Sequence, residues 1–422
     1  MEMSADLQSI VKWAFLSSLL FDFQVAAAER NSWIATWTAS PVPADVDPSE
    51  PLLNLENQTV RERVRVSVGG STIRLRLSNE YGSSPLLLGS VTVALPNGSA
   101  GVQPVSIRSV TFGGRSSATI AVGAPILSDP IAFSVAPGGE ISVSLYFPER
   151  VSSMTWHELA LKRAVVSGRG DHTHDERIDG GADSFGAVLV SAVLVPAEPS
   201  QHLIVAFGDS IVDGDGSTVD ADRNWPGDLL RRLQKAGEGL KLAVVNEGIA
   251  GNRLMSNGPL ASLGVSALAR FDRDVLSLPG VTHVILLEGI NDLGFPGAKL
   301  GDILLADLAD TRSVEELIDA YRQLIARAHT RGVKLIGCTL TPFEGVKIPG
   351  YYSDPKEAAR QKVNQWIRTS GAFDGVIDLD RVLHDPDHPS RLAPSYASHD
   401  HLHPNDAGYQ AMADAIDLSL FR

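Results

Sequence analysis

The stretch VAFGDSIVDGDGSTVD, from Val205 to Asp220, follows an apolar run and contains four aspartates, three glycines and two serines. It does not match a calcium-binding loop, because a loop beginning at Asp213 would have Thr218 where a glycine is required. Dinucleotide- and phosphate-binding loops are also excluded, since both the third glycine and the Gly-Lys-Ser/Thr sequence are missing. The remaining feature is Ser210 at the end of a predicted strand, where open α/β sheets place their functional sites.

The region that follows alternates short apolar runs with helical patterns. We predict strands at HLIVAF, KLAVVN, THVILLE, VKLIGCTL and GVIDL. Between the third and fourth strands, Ser313 is expected to cap a helix, with Glu316 completing a capping box and Gly332 near its end. Strands that alternate with helices form a parallel sheet covered on both faces, so residues 201–422 are predicted to fold as an α/β domain.

Residues 31–197 follow a different pattern, which is typical of antiparallel β structure. Short runs of alternating apolar residues are separated by Gly, Pro, Asn and Asp. The segment TVRERVRVSVGGSTIRLRLSN is predicted to form a hairpin about Gly69 and Gly70, with its alternate arginines on a solvated face of the sheet. We therefore expect a β-sandwich domain that ends near the prolines of VPAEPSQ.

The charge balance and the cysteine content exclude several classes of protein. The chain has 36 Lys and Arg residues against 50 Asp and Glu, a formal net charge of -14, so no nucleic-acid partner is predicted. A hydrophobic content of 44% is typical of a folded globular chain. The single cysteine, Cys338, excludes an internal disulfide framework and a multi-cysteine zinc site, and it is predicted to be buried.

The N-terminus predicts a secretory signal peptide. Lys12 precedes the mostly apolar segment WAFLSSLLF, and residues 26–28 are alanines of the kind that signal-peptide cleavage requires. We assign residues 1–28 to this signal and expect a secreted or periplasmic protein. The alternative is a leader that stays attached, either disordered or packed on the core. Stable membrane insertion is not expected, because no later apolar run approaches the ~20 residues that span a bilayer.

A nucleophilic serine needs a base, and the base needs a group that orients it. The C-terminal segment SHDHLHPND places Asp400 three residues before His403, which would bring the carboxylate and the imidazole to the same side of a turn. His399 and His401 are interpreted as loop residues. A metal site built on the three histidines remains an alternative, although no H-E-x-x-H sequence supports zinc.

Two further segments could supply hydrogen-bond donors. VVNEGIAGNRL follows the second predicted strand and LLEGINDLG follows the third, so both are expected at the same sheet edge as Ser210. Acyl transfer needs donors directed at the developing oxyanion, and a glycine N–H or an asparagine side chain can provide them. Either segment alone would be more typical of a glycine-rich turn between a strand and a helix.

Taken together and in this order, the four segments resemble the sequence blocks of the SGNH (GDSL) hydrolase superfamily. The blocks are Gly208-Asp209-Ser210-Ile211, residues 246–251, Gly289-Ile290-Asn291-Asp292 and Asp400-His401-Leu402-His403-Pro404. The resemblance covers roughly residues 201–420. It implies a flavodoxin-like, three-layer α/β/α domain, and the preceding β-sandwich, expected to be jelly-roll-like, resembles an N-terminal extension found in a bacterial subset of these enzymes.

The resemblance also implies a role for each site residue. Ser210 would be the nucleophile, His403 the base and Asp400 the carboxylate that orients it. The backbone N–H groups of Ser210 and Gly251, with the side chain of Asn291, would form the oxyanion hole. No metal or organic cofactor is implied.

The implied activity is serine-dependent hydrolysis of a carboxylic ester through an acyl-enzyme, on a small-molecule or carbohydrate ester such as a short-chain acyl ester. The alternative is a protein whose β-sandwich binds a glycan or surface polymer. Asp209 is expected to support its loop through hydrogen bonds, whereas Asp213 and Asp215 are interpreted as solvated turn residues. Trp156 and His157 could reach the site or pack at the domain junction, and packing is the favoured interpretation.

Overall fold

The computed structural model describes residues 32–44, 54–98, 101–151, 153–158, 160–179, 181–237 and 241–421. The predicted signal peptide, residues 1–28, lies outside this set. Antiparallel strands continue as far as Pro196, and a parallel sheet begins at His202. The predicted fold class, an α/β domain preceded by antiparallel β structure, is confirmed.

The N-terminal half, as described, consists almost entirely of short strands. They are β1 (Trp33–Thr38), β2 (Val42–Pro43), β3 (Gln58–Arg65), β4 (Gly70–Ser78), β5 (Leu86–Leu88), β6 (Ser90–Ala94), β7 (Pro96–Asn97), β8 (Gly101–Val102), β9 (Arg108–Ser109), β10 (Ala118–Ile120), β11 (Pro125–Leu127), β12 (Ile131–Val135), β13 (Glu140–Phe147), β14 (Thr155–His157), β15 (Arg163–Arg169), β16 (Ala182–Phe185), β17 (Ala187–Val188) and β18 (Val190–Pro196).

Two larger antiparallel sheets organise these strands. One has the order β1-β18-β4-β11, with β12 also paired to β4, and the other has the order β16-β15-β3-β13-β6-β9. Smaller sheets join β17-β14-β2, β10-β5 and β7-β8. In β12, Ile131, Phe133 and Val135 are buried and the two residues between them are exposed. This alternation gives the strand one face toward the core, as the sequence pattern predicts.

The predicted hairpin about Gly69 and Gly70 is wrong. Strand β3 pairs with β13 and β15, whereas β4 pairs with β18, β11 and β12, so the two strands belong to different sheets. A Cβ at Gly69 would lie 2.3 Å from the carbonyl oxygen of Val135, which shows how closely the connection passes β12. Alternating apolar residues identify the buried face of a strand, but they do not identify its partner.

The sequence pattern predicted that the arginines of β3 lie on a solvated face, and this prediction is wrong for two of them. Arg61 is buried, and its guanidinium donates to Oγ of Ser144 at 2.9 Å and to the carbonyl of Asp175 at 2.8 Å. Arg65 is partly buried and forms a salt bridge to Asp222, in the C-terminal half, at 2.6 Å. Hydrogen bonds to these partners compensate for the removal of the charges from water.

The described part of the C-terminal half contains one main sheet and two short hairpins. The remaining strands are β19 (His202–Gly208), β20 (Leu242–Gly248), β21 (Val281–Leu287), β22 (Lys299–Leu300), β23 (Ile303–Leu304), β24 (Lys334–Cys338), β25 (Gly375–Ile377), β26 (His384–Asp385) and β27 (His388–Leu392). The main sheet is parallel, with the order β20-β19-β21-β24-β25. This is the flavodoxin-like order, in which successive strands are added first on one side of β19 and then on the other. Each of its strands was predicted, and Cys338 at the end of β24 is buried as expected.

Helices cover this sheet. The α-helices among the described residues are α1 (Ser210–Asp213), α2 (Trp225–Lys235), α3 (Ala267–Phe271), α4 (Ile290–Gly294), α5 (Val314–Thr330), α6 (Asp354–Thr369), α7 (Leu379–Leu383) and α8 (Asp406–Ala415). A π-helical turn covers Asp272–Leu276, and 3₁₀ turns cover Pro104–Ser106, Ala261–Leu263, Leu308–Asp310 and Leu418–Phe421. No helix in the described part of the chain is long and apolar enough to span a membrane.

Helix α5 has the termini that the sequence predicts. The hydroxyl of Ser313 accepts from the backbone N–H of Glu316, whose carboxylate accepts from the N–H of Ser313, and this completes the capping box. Gly332, at a φ of +68°, follows the end of the helix. These local signals are sufficient because a capping box satisfies donors that the helix itself leaves unpaired.

The N-terminal half covers β20, the edge strand of the parallel sheet. The backbone N–H of Val244 on β20 donates to Oγ of Ser67 at 2.7 Å, and the hydroxyl of Thr38 donates to the carbonyl of Asn246 at 3.1 Å. On the other side of β1, the N–H of Ala35 donates to the carbonyl of Pro279 at 3.1 Å. The first two contacts satisfy backbone groups that an exposed edge strand would leave unpaired.

Candidate active site

Ser210 lies where β19, between β20 and β21 in the parallel sheet, ends and α1 begins. Asp209 caps this short helix, and its carboxylate accepts from the backbone N–H of Ile211 at 3.0 Å, so its predicted supporting role is confirmed. A Cβ at Gly208 would lie 1.8 Å from the carbonyl oxygen of Leu287, so only glycine fits before this turn. The sharp turn holds Ser210 at the carboxyl edge of the sheet.

His403 and Asp400 lie in the loop that precedes α8. Nδ1 of His403 is 2.5 Å from a carboxylate oxygen of Asp400, and Nε2 is 2.8 Å from Oγ of Ser210. Because Asp400 accepts the Nδ1 proton, Nε2 is available to accept the hydroxyl proton of Ser210. The structure therefore brings the three predicted residues together in one hydrogen-bonded chain.

Further donors fix the Asp400 carboxylate. The hydroxyl of Ser398 donates to it at 2.6 Å, and the backbone N–H groups of Leu402 and His403 donate at 3.0 and 3.1 Å. Burial alone would raise the pKa of Asp400, but the hydrogen bond and charge of His403, together with these donors, hold the pKa well below its usual range. Asp400 is therefore ionised across the physiological pH range.

The loop after β20, residues 249–254 and here called the Gly251 loop, lies at the same sheet edge. Gly251 has a φ of +69°, and a Cβ there would lie 2.7 Å from Cδ2 of Leu263. Among the described residues, no acceptor takes the backbone N–H of Gly251 or that of Ser210. Both N–H groups are therefore left without a protein acceptor in this part of the chain.

Asn291, in the first turn of α4, is buried and its amide is held at both ends. Its Oδ1 accepts from the hydroxyl of Tyr351 at 2.7 Å, and its Nδ2 donates one hydrogen to the carbonyl of Asn252 at 2.9 Å. The second hydrogen of Nδ2 is then left for another acceptor. The neighbouring Asp292 accepts from the N–H of Leu254 at 2.7 Å, which ties the Gly251 loop to α4.

The prediction for Asp213 was wrong, and that for His157 was incomplete. Asp213 was predicted to be a solvated turn residue, but it is buried at the end of α1 and lies 3.0 Å from Nε2 of His157. His157 is buried at the junction of the two halves, as predicted, but it also forms this polar contact beside the site. Asp215 is only partly solvated, and its carboxylate lies 3.7 Å from Nε2 of His403.

The other histidines remain apart from this arrangement. His399 and His401 are exposed loop residues, as predicted. No group of three or more His, Cys, Asp or Glu side chains in the described ranges is arranged to hold a metal ion.

Comparison with protein-family models matches residues 206–411 to the GDSL-like lipase/acylhydrolase family. These residues form a GDSL-like lipase/acylhydrolase domain. The protein is accordingly a carboxylic ester hydrolase. The matched region contains Ser210, Asn291, Asp400 and His403. No curated protein matches the chain in sequence.

Solved structures similar to this chain include several named esterases and lipases. A GDSL-like lipase from Bacteroides thetaiotaomicron is 16% identical, with a TM-score of 0.38, and the match covers 53% of this chain and 90% of that one. An acetyl xylan esterase from Geobacillus stearothermophilus is 21% identical, with a TM-score of 0.38 and coverages of 51% and 93%. The esterase EstA from Pseudoalteromonas is 15% identical, with a TM-score of 0.35 and coverages of 51% and 94%.

Proposed function

We propose that the protein hydrolyses carboxylic esters through an acyl-enzyme formed on Ser210. One observation carries this proposal: His403 lies between an ionised Asp400 at 2.5 Å and the hydroxyl of Ser210 at 2.8 Å. A serine hydroxyl is a weak nucleophile unless a base accepts its proton, and this arrangement provides a base with an orienting carboxylate.

The reaction proceeds in two steps. In the first, Oγ of Ser210 attacks the ester carbonyl while its proton passes to Nε2 of His403, and the tetrahedral oxyanion that forms then collapses. Collapse breaks the bond to the alcohol, which leaves with the proton from His403. In the second step a water molecule gives a proton to His403 and attacks the acyl carbonyl. Collapse breaks the bond to Oγ of Ser210, which takes that proton back from His403, and the carboxylic acid is released.

Three donors are proposed to bind the oxyanion: the backbone N–H groups of Ser210 and Gly251 and the free Nδ2 hydrogen of Asn291. Two observations support this proposal. The two backbone N–H groups have no acceptor within the described residues, and hydrogen bonds fix the orientation of the Asn291 amide. Fixed donors stabilise the charge that develops in the transition state without needing to reorganise.

We propose that the acyl group is short. Ser210 is 6% exposed and His403 is 7% exposed, and a short acyl group needs the least space to bring its carbonyl carbon to Oγ. An acetyl ester, including one on a carbohydrate, meets this requirement. No aromatic side chain described in the N-terminal half is exposed: Trp33 and Trp37 are partly buried and Trp156 is buried. Glycan-binding platforms present aromatic rings to solvent, so binding by the β half alone is not proposed.

The experiment is a panel of soluble esters that runs from acetyl to long acyl chains and includes acetylated sugars. We expect the highest kcat/KM for the shortest acyl groups and no hydrolysis by Ser210→Ala. A preference for long acyl chains would refute the assignment of chain length while leaving ester hydrolysis intact. Activity that persists in Ser210→Ala would refute the acyl-enzyme.

A further inference from the structure

Ser40 and His157 belong to the N-terminal half, but they lie against residues that carry the proposed site. His157, at the end of β14, has Nδ1 2.8 Å from the carbonyl oxygen of Ser40 and Nε2 3.0 Å from a carboxylate oxygen of Asp213. Both ring nitrogens face oxygen acceptors, and both partners are buried. A doubly protonated imidazole paired with a carboxylate satisfies this geometry completely.

Asp213 lies one helical turn after Ser210 and contacts the Gly251 loop. Its carboxylate is approached by the backbone N–H of Ala250, the residue before Gly251. A Cβ at Gly248, where β20 ends, would lie only 2.3 Å from the backbone nitrogen of Asp213. His157 thus contacts α1 at Asp213, where α1 packs against β20, the strand that leads into the Gly251 loop.

Ser40 makes a second connection, through Arg270. The hydroxyl of Ser40 donates to the carboxylate of Glu247 and accepts from the guanidinium of Arg270 at 3.1 Å. Arg270 is almost fully buried, and it also donates to the carbonyl of Gly208 at 2.7 Å and to Oδ1 of Asn252 at 2.9 Å. One guanidinium therefore joins the strand end before Ser210 to the residue after Gly251.

We propose that Ser40 and His157 are positioning residues for ester hydrolysis, and that the N-terminal half thereby forms part of the catalytic unit. The inference rests on the proposed function of Ser210. Through Asp213 and Arg270, the two residues fix α1 and the Gly251 loop relative to each other, so that Oγ of Ser210 and the N–H of Gly251 meet the same carbonyl group. A displacement of ~1 Å between reacting groups can cost on the order of 10²-fold in rate.

The test compares His157→Gln, Asp213→Asn and Ser40→Ala with the wild type in the full chain. With a soluble short-chain ester, well below the unfolding temperature, we expect kcat to fall about 10- to 100-fold while KM changes by less than about two-fold. The double variant of His157→Gln and Asp213→Asn should lose no more than the worse single variant, because both changes break the same contact. The matched control is His329→Gln, which breaks an exposed pair in which His329 lies 2.8 Å from Asp374.

A second control separates positioning from stability. Val193→Ala shortens a buried side chain on β18, away from these contacts, and should lower Tm without lowering kcat. If this variant loses as much kcat as His157→Gln at an equal loss of Tm, positioning is refuted. If His157→Gln does not fold, Asp213→Asn and Ser40→Ala give the answer.

The outcomes distinguish this inference from the proposed function. A wild-type protein that hydrolyses no ester, or a Ser210→Ala variant that remains active, would refute the proposed function. Inactive Ser210→Ala together with wild-type kcat in the folded Ser40, His157 and Asp213 variants would refute only the positioning role.

Discussion

A carboxylate oxygen of Asp215 lies 3.7 Å from Nε2 of His403, the ring nitrogen that faces Oγ of Ser210. The imidazole therefore has a second negative charge beside it, in addition to that of Asp400. Burial alone would lower the pKa of His403, but the hydrogen bond to Asp400 and the charges of Asp215, Asp400 and Asp209 outweigh burial and raise the pKa above its ordinary 6.5.

We expect kcat/KM to rise with pH through an ionisation above 6.5, because only the neutral imidazole can accept the proton of Ser210. Asp215→Asn removes one charge that stabilises the protonated ring, so the apparent pKa should fall and activity should persist to lower pH. Asp220→Asn changes a nearby acid paired with Arg163 instead, and it serves as the control. An apparent pKa that Asp215→Asn leaves unchanged would show that this charge does not act on His403.

Asp400→Asn should depress the upper plateau of the pH profile and not merely shift it. An amide keeps the shape of the carboxylate but removes its charge and can favour the wrong imidazole tautomer, a loss on the order of 10²- to 10⁴-fold in kcat. Asp406→Asn is the control, because Asp406 is the first residue of α8, close to Asp400 in sequence, but binds only Thr218 among the described residues. A lost plateau in the Asp406 variant with a normal plateau in the Asp400 variant would reverse the pairing of acid and histidine.

Asn291→Ala should lower kcat by roughly 10²-fold and change KM much less, because an oxyanion donor acts on charge that is present mainly in the transition state. Tyr351→Phe removes the hydroxyl that orients the amide and should lower kcat in the same direction by a smaller factor. Tyr352→Phe, at the adjacent and partly buried position, should leave kcat unchanged. A pure KM effect for Asn291→Ala would make it a substrate-binding residue.

The pair of His157 and Asp213 should make kcat fall at alkaline pH. Burial lowers the pKa of His157, but the charge and hydrogen bond of Asp213, with contributions from Ser40 and Glu247, raise the pKa to about 9. A neutral ring cannot donate to both of its oxygen partners, so we expect kcat to decline as the pH rises through about 9. The His157→Gln variant should not show this decline in kcat. An identical decline in that variant would assign the ionisation to another group.

The same ionisation predicts the pH dependence of stability. Because the pKa of His157 is higher in the folded chain than its ordinary 6.5, its stabilising contribution is complete below 6.5 and is lost as the pH rises toward about 9. Chemical unfolding of the wild type and of His157→Gln across this range measures the difference. Other titratable or charged groups line the cavity beside His157 and are present in both proteins: Glu62, whose pKa burial raises to about 8, and Arg63, Lys162, Asp213 and Asp222.

The sequence predicted what depends on local signals. Three such features depend only on residues close together in the sequence: the strands of the parallel sheet, the capping box at Ser313, and the spacing of Asp400 and His403. The partner strand of β3 and the pairing of His157 with Asp213 could not be predicted in this way. His157 and Asp213 are 56 residues apart and belong to different halves of the chain, so only the packing of the two halves reveals that they meet.

The role of Tyr351 was missed for a related reason. It lies in a loop with no motif of its own, and its importance follows only from the 2.7 Å contact with Asn291. The acidic Asp213 follows Ser210 at a helical spacing, which could have suggested a buried position. Its run of neighbouring Gly and Asp residues instead indicated a solvated turn.

The central claim is that Ser210 carries the acyl group, and trapping of the acyl-enzyme tests this most directly. A phosphonate ester that mimics the tetrahedral intermediate is incubated with the wild type and with Ser210→Ala, and intact mass and peptide mapping locate the adduct. We expect one adduct per wild-type chain, on Ser210, none on the variant, and a loss of at least ~10³-fold in kcat/KM for the variant with an unchanged Tm. An adduct on another residue, or near-wild-type hydrolysis by Ser210→Ala, would contradict the account.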